Sequence, residues 1–353
     1  MFEIEMLPAR EGDCLWIRYG DPKKPYQILI DGGRSATAKE LKNRLAKLPD
    51  NQKTFELLII THVDRDHIEG VIGLLEDPKL SLSFNDVWFN GYDHLKEVSV
   101  ETFGAVQGER LSAALIKGKL PWNAQWKRNA VCLPKKGLKT VKLAGGMTLT
   151  LLSPDREKLT KLIPVWEKEC KKAGLMPGVG AKPSESKGLE HFGGIDIEQL
   201  AVTPFHGDGG EPNGSSIAVL AQYQGKKALL AGDAHADRLI ASINFLKKTA
   251  KRLKLDAFKV AHHGSENNLS ADLVKLVDCP RYLVSTNGSY FQHPTPAALA
   301  RLVKYGGKNA TVFFNYDTKF TKIWDKDVWK TKYGYKVVFP EKASNGTLTV
   351  SLS

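Results

Sequence analysis

The run Thr61-His62-Val63-Asp64-Arg65-Asp66-His67-Ile68-Glu69-Gly70 follows directly on the apolar segment Leu57 to Ile60. The apolar segment predicts a buried strand. The spacing of Ile68, Val71, Ile72 and Leu75 predicts a helix that begins near Asp66 and ends before Pro78. A strand that turns this tightly into a helix presents His62 and Asp64 from the loop, and Asp66 and His67 from the first helical turn. Four ligand-type side chains then converge without a large chain closure. Imidazole and carboxylate suit zinc, manganese or iron, and a cluster free of thiolates fits a catalytic rather than a structural site. The competing role for this loop is simple helix capping, for which Asp66 is a suitable residue type.

Elsewhere in the chain, other ligand-type residues stand where apolar runs end. Asp31 follows Tyr26 to Ile30, Asp233 follows Ala228-Leu229-Leu230-Ala231-Gly232, and His262-His263 follows Phe258-Lys259-Val260-Ala261. Strand ends are rigid mounts, so these groups can meet the first cluster without rearrangement. Further strands are predicted at Phe2 to Met6, Cys14 to Tyr19, Phe55 to Ile60, Asp86 to Phe89, Met147 to Leu152, Ser216 to Tyr223 and Tyr282 to Ser285. Helices are predicted at Ala38 to Leu48, Glu157 to Ala173, Asp237 to Leu253 and Ala271 to Leu276. Strand-rich sequence followed by helix-strand alternation indicates a layered α+β architecture. Between 155 and 212 the rhythm breaks. That segment reads as an insertion, a helix followed by a Gly-, Pro-, Lys- and Ser-rich tip at 174–194, within one domain spanning 1–353.

The chain carries 51 Lys and Arg against 39 Asp and Glu, a formal charge of +12. Part of the excess is clustered. From Arg110 to Lys142 nine basic residues, among them Lys127, Arg128, Lys135 and Lys136, occur without one acid, and Trp122 and Trp126 sit between them. Such a segment attracts polyanions by counterion release, and its tryptophans are either stacking platforms for bases or core residues beneath a solvated basic loop. The cysteines Cys14, Cys132, Cys170 and Cys279 show neither CxxC spacing nor a disulfide framework. With no apolar leader and no long apolar span, a cytoplasmic protein away from the membrane is expected.

The order Asp31, His62-x-Asp64-x-Asp66-His67, Gly232-Asp233, His262-His263-Gly264-Ser265 resembles the metallo-β-lactamase superfamily. It looks most like the soluble domain of ComEC-type DNA-uptake proteins, through Gly12-Asp13, Asn213-Gly214-Ser215-Ser216 and Gln292-His293-Pro294. The resemblance implies a four-layer αββα sandwich and two divalent metal ions, zinc or manganese, with magnesium a third candidate. By position, His62 and Asp64 would hold one metal, Asp66, His67 and His262 the other, and Asp233 would bridge them. Asp31 would brace the ligand loop. The superfamily pattern has His where Asp64 and Asn213 stand, which leaves the first metal a harder ligand set, and His206 is a candidate for the missing imidazole. A hydroxide shared by the two metals would attack a phosphodiester, Asp66 would serve the catalytic pair, and His263 or His293 would protonate the leaving oxygen. A nuclease acting on nucleic acid, with Lys127, Arg128, Lys135 and Lys136 as substrate contacts, is the expected function. A small-molecule phosphodiesterase, a lactone or thioester hydrolase, and a non-catalytic metal-stabilised binding module are the alternatives.

Overall fold

The structure, a computed structural model, describes residues 1–77, 79–96, 106–172 and 195–353. Two sheets carry the molecule. The first has six strands in the order Leu348–Ser351, Phe2–Met6, Leu15–Asp21, Lys24–Ile30, Leu57–Ile59 and Val87–Trp88. The second has eight, in the order Lys336–Val338, Thr311–Phe314, Arg281–Val284, Ala257–Lys259, Lys226–Leu230, Ala218–Tyr223, Thr148–Ser153 and Thr140–Lys142.

Side-chain alternation along these strands builds the layers, because successive residues point to opposite faces. Ile28, Ile30, Leu57 and Ile59 of the first sheet pack with Leu149, Leu151, Val219 and Leu230 of the second in a core between the sheets. Their neighbours Leu29, Leu58 and Ile60 face outward onto Leu41, Leu45, Ile68 and Val71, from the helices Ser35–Ala46 and Arg65–Leu75. On the far side, Leu220, Leu229 and Phe258 meet Leu239, Ile243, Leu273 and Leu299, from the helices Ala236–Lys247, Ala271–Lys275 and Pro296–Tyr305. Helix, sheet, sheet, helix is the four-layer αββα sandwich that the sequence resemblance implies. Among the described residues no helix is long and apolar enough to cross a membrane.

Strand direction positions the site. Lys24–Ile30, Leu57–Ile59 and Val87–Trp88 run parallel, as do Lys226–Leu230, Ala257–Lys259, Arg281–Val284 and Thr311–Phe314. Parallel strands gather their carboxyl ends on one edge, where open α/β sheets place their ligands. Asp31, His62, Asp233, His262 and His263 all lie just beyond such ends. Helix Arg65–Leu75 is drawn against the first sheet by a close backbone approach: a Cβ added at Gly70 would stand 1.9 Å from the Gly32 carbonyl oxygen. The Gly70 amide donates to Gly33 O and the Gly32 amide to His67 O, both at 2.8 Å. Only glycine lets the helix that carries His67 sit this near the loop that carries Asp31.

Several elements differ from the sequence reading. The strand expected over Phe55 to Ile60 is divided: Thr54–Phe55 pairs with Ser83–Phe84 in a small separate sheet, and only Leu57–Ile59 joins the large one. The helix expected from Asp237 to Leu253 stops at Lys247, where Lys248 takes a positive φ of 50°, and Leu253–Lys254 pairs with Val277–Asp278. The helix of the 155–212 segment, Arg156–Lys172, buries Leu159, Leu162, Ile163 and Trp166 in the outer core of the first sheet. Ile197 and Ala201, from the same segment, pack in the outer core of the second. The expected tip lies outside the described residues. Trp126 and Trp122 are packed rather than presented. Trp126 is 6% exposed and stands edge-on to Trp88, while Trp122 stacks on Phe89 and donates its indole N–H to Phe89 O. The stacking role considered for them is therefore replaced by a core role.

Candidate metal centre

The site begins with a carboxylate beneath the ligand loop. Asp31, fully buried at a φ of 58°, accepts from the Thr61 amide at 2.8 Å, from Thr61 Oγ1 at 2.7 Å and from His67 Nδ1 at 2.8 Å. A carboxylate can only accept here, so the proton of His67 stays on Nδ1 and the Nε2 lone pair faces the site. His263 is set in the same way. Its Nδ1 donates to Ser285 O at 2.9 Å, which leaves Nε2 free. The two Nε2 atoms then face each other at 3.2 Å. Neutral imidazoles in these tautomers oppose lone pair to lone pair, an arrangement that calls for a cation between them.

Asp233 is the convergence point. Its Oδ2 lies 3.3 Å from His67 Nε2, 3.5 Å from His263 Nε2, 3.7 Å from His262 Nε2 and 3.8 Å from His62 Nε2. Its Oδ1 and His62 Nε2 are buried polar atoms without a hydrogen-bond partner among the described residues. Leaving such atoms unpaired is costly, and groups with the right donor set then point to a missing ligand. One ligand atom from each of His62, His67 and Asp233 lies within 4.8 Å of the others, and the same holds for Asp66, His67 and His263. These residues fit a pair of divalent cations by geometry, by unpaired atoms and by nitrogen-oxygen chemistry.

The electrostatics agree. Burial disfavours a charged His67, yet the Asp233 and Asp31 carboxylates outweigh it and hold the imidazole well above its usual range. Burial likewise opposes charge on His263, but Asp233 and Asp13 push it up to about 9. Against its own burial, Asp233 is held well below the carboxylate range by His67, His263 and His262. Without metal, protons supply the positive charge that the carboxylates demand, and metal uptake would displace them.

The helix start releases its acids to the site. Asp64 is the N-cap of Arg65–Leu75 with no side-chain cap bond, and its Oδ2 stands 3.5 Å from His62 Nε2. Asp66, inside the first turn, approaches His263 Nε2 at 3.7 Å. The simple capping role is thus not the one these side chains take.

One expected partner changes. His262 was expected beside Asp66 and His67, and it is His263 that lies there. His262 and His263 both adopt left-handed backbone, φ 46° and 54°, and both turn Nε2 toward Asp233 Oδ2, at 3.7 and 3.5 Å, while His263 of the two also reaches Asp66 and His67. His262, partly exposed, points its Nδ1 at Asn268 Oδ1, 2.9 Å away, and at Asp208 Oδ2, 3.4 Å away. Burial lowers its proton affinity, but Asp233 and Asp208 raise it further, above the usual value. His206 is exposed, and Asp208, two residues on, enters the site in its stead. Asp208 Oδ2 accepts from Asn213 Nδ2 at 2.7 Å and from Asn268 Nδ2 at 2.9 Å, and Asn213 keeps a buried, unpartnered Oδ1. His293 packs its ring 5.1 Å from His262 and 6.5 Å from His263. Burial and these two neighbours keep it neutral, a poor state for a proton donor.

Sequence reasoning also passed over the pair beneath His263. Lys259, a lone charge inside an apolar strand, is fully buried and donates to Asp13, whose other oxygen lies 3.4 Å from His263 Nδ1. A buried lysine is costly unless paired, so a lone Lys in such a strand was the signal for a buried acid near this site. Asp208 gave a weaker signal, standing in the Gly207-Asp208-Gly209-Gly210 turn that read as part of an insertion.

No protein-family model matches the sequence, and no curated protein does. Solved structures of similar fold include a metal-dependent hydrolase of Parabacteroides distasonis ATCC 8503, at 13% identity and a TM-score of 0.40 over 96% of this chain and 94% of that one. Zinc-bound PqqB from Methylobacterium extorquens matches at 11% identity and 0.42, over 99% and 100%. CmlA, a diiron β-hydroxylase from Streptomyces venezuelae, matches at 11% and 0.44, over 99% of this chain and 54% of that one. Likenesses this distant carry no argument: the fold rests on the layers described above and the chemistry on the site's own geometry.

Proposed function

We propose that this centre holds two divalent cations, zinc or manganese, and that the protein hydrolyses phosphodiester bonds in nucleic acid. The observation that carries the metal reading is the set of the His62, His67 and His263 Nε2 atoms around Asp233 Oδ2, with Asp233 Oδ1 unpaired among the described residues. His62 and Asp64 would hold one cation, Asp66, His67 and His263 the other, with Asp233 between them. Cations there would stabilise charge on a phosphoryl oxygen and lower the pKa of water toward neutrality. Asp31 and Ser285 O keep the proton on Nδ1 of His67 and His263, so that both Nε2 atoms stay available. The Asp233 and Asp208 carboxylates favour the imidazolium form of His262 against its burial; its Nδ1–H is turned to Asn268 and Asp208 and its Nε2–H to the site, where that Nε2 proton can pass to the leaving oxygen and leave the ring neutral. On this reading His262 is the proton donor and His263 a metal ligand, where the sequence led to His262 as the ligand and His263 or His293 as the donor.

The nucleic-acid reading is supported by the net charge, by the ComEC-type motifs and by the basic segment. Lys127, Arg128, Lys135 and Lys136 are exposed, and Lys127 and Arg128 turn outward at positive φ. Changing all four to Gln is expected to weaken binding of single-stranded DNA or RNA and to reduce the salt slope of log K by about one unit per lost phosphate contact. Metal content should not change. The same preparations are assayed against cyclic nucleotides and acyl esters. Unaltered nucleic-acid affinity and slope, with turnover confined to an acyl ester, would replace the nuclease by the hydrolase alternative.

A further inference from the structure

Beside His293, next to the site, stands an apolar ring that packing does not explain. Phe291 is 46% exposed, although it belongs to a loop tied down along its length. The Thr286 amide donates to Asn315 Oδ1 at 3.0 Å, the Asn287 amide to Arg10 O at 2.8 Å and the Thr295 amide to Gly264 O at 3.0 Å. The ring therefore sits on a rigid mount. It lies nearly parallel to His293, at 25° and 5.9 Å between centroids, and His293 lies nearly parallel to His263, at 24° and 6.5 Å. Three flat rings thus step from solvent to the buried centre. His293 Nδ1, in the middle of the series, is buried and unpartnered among the described residues. Beside Phe291, Tyr290 meets it edge-on at 4.6 Å, and the Arg34 guanidinium covers Tyr290 at 5.3 Å, held by Glu11 at 2.6 Å.

A lone exposed phenylalanine needs no explanation, but one fixed in line with the centre does. We infer that Phe291 is a stacking platform for a planar heterocycle of the substrate, a nucleobase one step from the bond being cleaved. This rests on the phosphodiester reading and names what lies beside the phosphate. A nucleobase offers the flat π-face that an aromatic platform takes without regard to sequence, and its attached phosphate would reach the centre. Phe291 is on this account a binding residue, with no part in holding metal or moving a proton.

The test uses the metal-loaded protein, a short single-stranded oligonucleotide, and copies of it with one abasic position moved stepwise along the chain. Wild type is expected to show one position, next to the cleaved bond, at which loss of the base lowers kcat/KM about tenfold. Phe291→Ala should cleave the intact and abasic copies with equal kcat/KM, while Phe291→Trp restores the difference and the metal content of all three proteins is the same. An abasic penalty that is unchanged in Phe291→Ala, or absent from the wild type, overturns the platform and leaves the nuclease reading standing. Failure of the metal-loaded wild type to cleave any copy overturns the nuclease reading, and the platform with it.

Discussion

Asp233→Ala is expected to take the protein from two bound metals per chain to fewer than one and to lower hydrolysis by about a thousandfold or more. The reasoning starts from one oxygen. Asp233 Oδ2 faces the Nε2 atom of His62 on one side and those of His67 and His263 on the other at 3.3–3.8 Å, so both proposed halves of the ligand set lose their shared anion at once. Centres of this kind supply several kcal/mol of charge stabilisation, and ~1.4 kcal/mol is a factor of ten in rate. Elemental analysis of reconstituted protein gives the metal count, and turnover is read on the same samples. A second consequence appears without metal. The imidazole of His263 is pushed up from 6.5 to about 9 by Asp233 and Asp13 acting against its burial. Its contribution to stability is then full below pH 6.5 and lost as pH rises to about 9. The melting temperature of metal-free wild type should fall across that window, and Asp233→Ala should flatten the fall. Two metals bound normally in the variant would remove Asp233 from the bridging position.

His263→Ala and His262→Ala are expected to differ in kind, which makes them the second large test. The His263 ring reaches Asp66 at 3.7 Å and His67 at 3.2 Å, so its loss should cost the second metal and most turnover. His262 also turns Nε2 to Asp233 Oδ2, at 3.7 Å, but its Nδ1 is held by Asn268 and Asp208, and as the proposed proton donor its loss should leave both metals in place. Its effect should fall on the proton-transfer step, with hydrolysis reduced about a hundredfold. Substrates with an acidic leaving group, which need no proton, should recover most of that loss. Equal metal loss in the two variants would return His262 to the ligand set.

How much of this was legible in the sequence depends on what sets each residue's position. His62, Asp64, Asp66 and His67 are set by local order, a strand, a tight loop and one helical turn, and the apolar period marks both flanks. Asp233 and the His262-His263 pair could be placed at strand ends for the same reason. Which histidine of that pair meets Asp66 and His67 depends on two left-handed residues, φ 46° and 54°, and no local pattern requires them of His. Asp208 enters the site because the Asn213 and Asn268 side chains fold the 207–210 loop over His262, a tertiary event. The last strand of the first sheet, Leu348–Ser351, is four residues long and half exposed, and it pairs with Phe2–Met6 at the other end of the chain. A segment that short carries too little periodicity to be read as a strand. Trp122 and Trp126 lay within a basic run that suggested a surface, and the aromatic contacts with Phe89 and Trp88 took them into the core instead.

The most direct measurement strips the protein of metal with a chelator, reloads it with zinc or manganese, and follows cleavage of one labelled single-stranded oligonucleotide. Asp233→Ala is run in parallel, and circular dichroism verifies that every sample is folded. The expected result is no product from the metal-free protein, product after reloading to about two metals per chain, and essentially none from the variant. Cleavage that survives metal removal at full rate, or a folded protein loaded with two metals that leaves the oligonucleotide intact, would contradict the account.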